Sequence, residues 1–281
     1  MSGAVVAFSG TGVTAGAATI VSSTQMVVNV TVAATATAGL RNVTVTSGGL
    51  VATLTNGFTV TAAPTVTSVT PASRGQGATN QNLVVAGTGF QAGITPVFSG
   101  TGVTVNSVTV TSATSLTVNV TVGAAAATGA RSLTLTNVDQ GTVTLATGLT
   151  VNAGPTVTSL APASLAAGAT SQSVVITGTG FVTGAVASFT GTGITVNSTT
   201  FTSATSITAN VTVTAGAALA ASDVTVTNPD GGNRTLVGGF TVVAPATVTA
   251  ASPVVDVTTT RGGQTVNTEL QIGRASCRER V

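Results

Sequence analysis

The chain has 281 residues, of which 5% are charged and 43% hydrophobic, with a formal net charge of +2 and no His, Tyr or Trp. Dense Val and Thr exclude a disordered chain. No stretch approaches the about 18 continuous apolar residues of a membrane-spanning helix, and a membrane barrel needs aromatic girdles that this composition cannot build. With no His, no Lys and one Cys, at position 277, no Ser-His or Ser-Lys pair exists to activate a nucleophile.

Internal repetition organises the rest. Phe8-Ser-Gly-Thr-Gly-Val-Thr returns at Phe98 and, as Phe-Thr-Gly-Thr-Gly-Ile-Thr, at Phe189. The period of roughly 91 residues is too long for a solenoid repeat and suits one small domain. Residues 1–61 match only the later part of a unit, so they are read as a partial domain truncated at its N-terminus. Residues 62–152 and 153–243 are full units, and 244–271 matches the start of another. Residues 272–281 break the style of the chain and resemble one translated frame of a common sequencing adapter, so they are read as a non-native tail. Without that tail, Arg41, Arg74, Arg131, Arg234 and Arg261 balance Asp139, Asp223, Asp230, Asp256 and Glu269. No basic patch remains for nucleic acid. No positively charged leader is visible before Phe8, where the chain opens straight into a strand.

In chain order, Met26–Val32 is predicted as a strand, and its counterparts Ser115–Val122 and Ile207–Val213 alternate apolar and polar residues with a period of two. Gly123–Ala127 is too short and Gly-flanked to hold a helix and is predicted as a loop. Ser132–Thr136 and Val143–Leu145 form a predicted hairpin around the turn Asn137–Gly141, repeated at Asn228–Gly232. About seven short strands per unit predict an all-β fold of tandem immunoglobulin-like β-sandwich domains. Phe8, Phe98 and Phe189, Phe90 and Phe181, and Phe58, Leu149 and Phe240 occupy equivalent places and are expected core anchors.

These motifs resemble the IPT/TIG family of immunoglobulin-like domains. The opening strand is Pro64–Pro71 and Pro155–Pro162, the apolar strand runs into Gly-Thr-Gly-Phe at 87–90 and 178–181, and the unit closes on Gly148-Leu-Thr-Val151 and Gly239-Phe-Thr-Val242. In bacteria, tandem domains of this kind are similar to stalks of surface and secreted proteins, or to accessory modules beside glycan-active enzymes.

The candidate site residues have plain structural alternatives. The Gly-Thr-Gly triplets lack the spacing and following helix of a dinucleotide loop and are read as turns. Asp139 and Asp230 lie in hairpin turns of different units, so they form no glycosidase pair. The linkers Thr61–Pro64 and Asn152–Pro155 carry no acid for interdomain calcium. Asn29, Asn119 and Asn210 head Asn-Val-Thr, a glycosylation pattern read more simply as an outward strand position. Arg41 and Arg131 are read as edge-strand charges. No catalytic residue, metal ligand or cofactor is therefore expected.

The expected function is a non-catalytic spacer or adhesive stalk of a bacterial cell-surface or secreted protein, located outside the cell. Its expected partners are a surface glycan or protein and the neighbouring domains of a longer chain; neither nucleic acid nor membrane insertion is expected. The alternative is a carbohydrate-binding accessory module, which the absence of Trp and Tyr weakens.

Overall fold

A computed structural model describes residues 3–247. The expected unit start at 244–271, apart from its first few residues, and the 272–281 tail lie outside them. All regular elements among the described residues are strands. The first unit contains β1 (Val5–Phe8), β2 (Val13–Ile20), β3 (Met26–Val32), β4 (Gly39–Ser47) and β5 (Leu50–Val60). The second contains β6 (Thr65–Thr70), β7 (Ser73–Gly75), β8 (Gln81–Thr88), β9 (Thr95–Phe98), β10 (Val103–Ser112), β11 (Ser115–Val122), β12 (Gly129–Thr136) and β13 (Thr142–Asn152). The third repeats that set as β14 (Thr156–Ala161), β15 (Ser164–Ala166), β16 (Gln172–Thr179), β17 (Val186–Phe189), β18 (Ile194–Ser203), β19 (Ser206–Val213), β20 (Ala221–Thr227) and β21 (Asn233–Val243).

Strand order defines the architecture. One sheet of the second unit runs β10-β11-β8-β6 and the other β7-β13-β12-β9. This is the two-sheet order of an immunoglobulin sandwich, with the first strand divided between the sheets. β6 pairs antiparallel with β8, and after Pro71 β7 pairs parallel with β13. The third unit has the same order, β14-β16-β19-β18 and β15-β21-β20-β17. The chain is a tandem of immunoglobulin-like sandwiches. The first unit contributes the sheets β1-β4-β5 and β2-β3.

The period of two sets the core. Leu116, Val118, Val120 and Val122 of β11 are fully buried, while Ser115, Thr117, Asn119 and Thr121 turn outward. Leu116, Val118 and Val120 meet Leu133, Leu135 and Leu149 from the opposite sheet, and Val122 packs with Ala78, Ala126 and Val151. Each buried branched side chain contributes about 1.5–3 kcal/mol relative to exposure. Phe90, Phe98, Phe181 and Phe240 are buried as expected. Phe189 is half-buried but packs edge-on against Phe240, with ring centroids 5.0 Å apart. Phe8 and Phe58 are also half-buried and pack against one another tilted, with ring centroids 5.0 Å apart.

Arg41 and Arg131 stand in β4 and β12, inner strands of their sheets, but each lies short of the stretch paired with β1 (Val43–Thr46) or β9 (Leu133–Thr136), so one side of the strand is unpaired at each Arg. Their guanidinium groups fold back onto the backbone carbonyls of Thr37 and Ala127 and pack over Gly10 and Gly100. Asp223 lies within β20, and its Oδ1 accepts from the Gly238 N–H beside the β20–β21 bulge.

Candidate functional site at the unit junctions

In the second and third units, the turn between the last two strands reaches the unit before it. In the second unit, Asn137 N–H donates to Gly141 O at 2.9 Å and closes the turn. Asp139 Oδ1 accepts from Gly141 N–H at 3.0 Å, the local Asx geometry that favours Asp in turns. Asn137 is buried, and its Nδ2 donates to Gly89 O at 2.8 Å, tying the turn to the Gly-Thr-Gly loop. The third unit repeats this with Gly232 N–H to Asp230 Oδ1 at 3.0 Å and Asn228 Nδ2 to Gly180 O at 2.8 Å. The Gly-Thr-Gly triplets thus anchor the turn.

The other carboxylate oxygen crosses the junction. Asp139 Oδ2 accepts from the Thr61 hydroxyl at 2.5 Å and from Gln91 Nε2 at 2.7 Å. Asp230 Oδ2 accepts from Asn152 Nδ2 at 2.9 Å. Thr61 and Asn152 hold equivalent places, just after β5 and at the end of β13. Sequence reading missed this because it sought acids in the linkers; the acids that serve the linkers stand 78 residues later, in the hairpin turns.

The junction of the second and third units carries further bonds. Asn233 N–H donates to Gln76 O at 3.1 Å, and Asn233 Nδ2 to Gly77 O at 2.8 Å. Gly75 N–H donates to Asp230 O at 3.3 Å, and Gly154 N–H to Gln76 Oε1 at 3.1 Å. Gln76 is itself held in the second unit, by Nε2 donating to Ala126 O at 2.6 Å. Backbone approaches backbone so closely that a Cβ on Gly75 would lie 2.6 Å from Gly232 Cα. The Asp230 charge acts on the Arg74 guanidinium, partly offsetting the burial that lowers the Arg74 pKa.

These bonds carry a pH dependence. The Thr61 hydroxyl, then the Gly141 N–H and the Gln91 amide, hold the Asp139 carboxyl below its ordinary 3.8. A lowered carboxyl pKa stabilises the folded junction above the unfolded value, and the effect is lost as pH falls through the folded one. The Gln91 side-chain amide resonance is therefore expected to stay constant from neutral pH to about 5 and to titrate with a midpoint below 3.8. Asp139→Asn is expected to abolish that titration; its persistence would assign the transition to another group.

The outer faces carry a second repeated pattern. Asn106 sits at a β-bulge between β10 and β11 and donates to Asn119 Oδ1 at 2.8 Å, while Asn119 Nδ2 donates to Asn82 Oδ1 at 2.7 Å. In the third unit, Asn197 donates to Asn210 Oδ1 at 2.6 Å and Asn210 Nδ2 to Ser171 O at 3.0 Å. A bulge swings one extra residue out of the ladder, here to extend a row of amides. Asn119 and Asn210 point outward as expected, with their amides engaged. Asn119→Ala is expected to cost the second unit about 1 kcal/mol, read as a lower midpoint of its denaturant transition.

No group of three or more His, Cys, Asp or Glu side chains converges among the described residues. No family model matches the chain, and no curated protein matches it. Solved structures similar to it include the plexin A4 extracellular region, at 11% identity, covering 71% of this chain and 18% of that one, with TM-score 0.39. InvD of Yersinia pseudotuberculosis follows at 17% identity, covering 68% of this chain and 61% of that one, with TM-score 0.25. The surface glycan-binding protein PbSGBP-B of Prevotella bryantii is similar at 16% identity, covering 62% and 41%, with TM-score 0.24. The chain thus spans less than two thirds of each.

Proposed function

We propose that this chain is a non-catalytic spacer or adhesive stalk segment of a bacterial cell-surface or secreted protein, built from IPT/TIG-type units and working outside the cell. The observation that carries this reading is the repeated junction. At both unit boundaries a hairpin-turn aspartate binds the end of the preceding unit. A chain selected for reach needs its domains held at a set angle, because a freely jointed tandem shortens by thermal bending. The short linkers carry Pro64 and Pro155, whose fixed φ removes one source of bending. The motifs at 64–71, 87–90 and 148–151 support the family assignment, and the near absence of charge with no His or Lys supports a role without chemistry.

Small-angle scattering on the full chain tests the proposal. The expected result is an elongated particle whose distance distribution is that of a single fixed arrangement of the units. A distribution broad enough to require free rotation at both junctions would refute it.

A further inference from the structure

An open cleft of about 360 Å³ lies between the second and third units, at the lower end of the size range of small-ligand sites. One wall is Gly77, Thr79, Thr121 and Gly123 of the second unit; the other is Asn233, Arg234 and Thr235 at the start of β21. A smaller recess adjoins it, bounded by Gln76, Gly154 and Pro155 and sharing Asn233 and Arg234. Gln76, Gly77, Gly154 and Asn233 are the residues whose bonds lock the junction. The walls are therefore set before any ligand arrives, which lowers the ordering cost of binding.

Arg234 separates this cleft from ordinary surface. The Arg41, Arg74 and Arg131 guanidiniums each donate to a backbone carbonyl, of Thr37, Asn82 and Ala127. Arg234 makes no side-chain hydrogen bond or ion pair among the described residues, and it lines both cavities. Its counterpart in the second unit is Val143, so the cation is a feature of this junction and not of the repeat. A guanidinium presents a planar fork matched to a carboxylate. The lining also holds Thr79, Thr121, Thr235 and Asn233 beside Val122 and Ala124. Thr121 accepts from Asn80 and Asn106, Thr235 bonds Thr225, and the Asn233 amide donates to Gly77 O and Gly231 O, which leaves the Thr79 hydroxyl, the Asn233 Oδ1 and the second lone pairs and protons of the other hydroxyls for a ligand's hydroxyls.

We propose that this cleft binds an acidic sugar, a hexuronate unit of a polysaccharide, with its carboxylate on Arg234 and its hydroxyls toward the threonines and Asn233. The site is open at one side, so a chain can pass through it, and it uses polar contacts in place of aromatic stacking. The inference is independent of the stalk reading: a rigid tandem without this site, or the site on a bent tandem, are both physically possible.

The test is a titration of the isotope-labelled full chain with digalacturonate, galactobiose and acetate, followed by amide shifts. Digalacturonate is expected to shift Gly77, Thr79 and the 233–235 amides saturably, and galactobiose, which lacks the carboxylate, to bind at least about tenfold more weakly, as expected for loss of one charge-assisted pair; acetate, which keeps the carboxylate but lacks the hydroxyls, is expected to bind more weakly than digalacturonate as well. Arg234→Gln, an exposed substitution, is expected to weaken digalacturonate about tenfold, with the rest of the spectrum unchanged. Arg41→Gln, in the first unit, is expected to leave binding as it was. Raising the salt is expected to weaken binding by the wild-type chain, a readout that needs no variant. Absence of digalacturonate shifts, equal binding of acetate, or undiminished affinity in Arg234→Gln or at high salt would each overturn the proposal.

Discussion

Gly178→Ala is expected to unfold the third unit and leave the second folded. Gly178 stands opposite Val157 where β14 meets β16, beside a register shift between Val157 and Ser159. A Cβ there would lie 1.8 Å from Thr156 O and 2.6 Å from the Phe181 ring. No rotamer relieves a clash with a backbone oxygen. β14 must move by more than an ångström, giving up its hydrogen bonds to β16 and opening the core over Phe181. Overpacking alone costs about 1–3 kcal/mol, and the lost ladder bonds add about 1 kcal/mol each, which together approach the whole stability of a small domain. Calorimetry should show one transition lost or shifted down by tens of degrees and the other retained. Gly87 occupies the same place in the second unit, with a Cβ 1.9 Å from Thr65 O. Gly87→Ala should therefore exchange which transition is affected. If both variants melt as the wild type does, the close approach at these glycines is wrong.

The second large effect is expected on shape. Gly75→Val is expected to release the junction of the second and third units without unfolding either. The first Cβ would already lie 2.6 Å from Gly232 Cα and 2.7 Å from Asp230 Oδ1, and valine adds two methyls. The hairpin turn must withdraw, breaking the Asn233, Gly75 and Asp230 bonds across the boundary. Each is worth about 1 kcal/mol, so the locked state loses its preference over a hinged one. Residual dipolar couplings give the check. One alignment tensor should describe both units in the wild type, and two should be needed in the variant. Asp230→Ala removes only the carboxylate contacts and should loosen the junction less. If a single tensor still fits Gly75→Val, the linker prolines and not the turn hold the angle.

The strands were legible because their signal is local. In β11 and β19 a residue's side is decided by the pleat, so alternation of Val and Thr reveals which face is buried. The hairpin turns were legible as turns because Asn, Asp and Gly favour their backbone conformations. What those turns touch was not legible. Asp139 and Thr61 are 78 residues apart, and no periodic pattern joins them. The same limit applies to Arg41 and Arg131: that β1 and β9 stop short of them is set by pairing between distant segments.

Composition and repetition alone, then, determined an all-β tandem that holds no His or Lys, since alternation, turn chemistry and residue usage are properties of the chain read in order. Only the tertiary structure decided that a turn aspartate braces each junction, that Asn119 and Asn210 sit in amide rows, and that Arg234 faces a cleft. Each of these depends on a contact between surfaces whose approach is set by packing two sandwiches together, and the free energy of that packing is not written in any one segment.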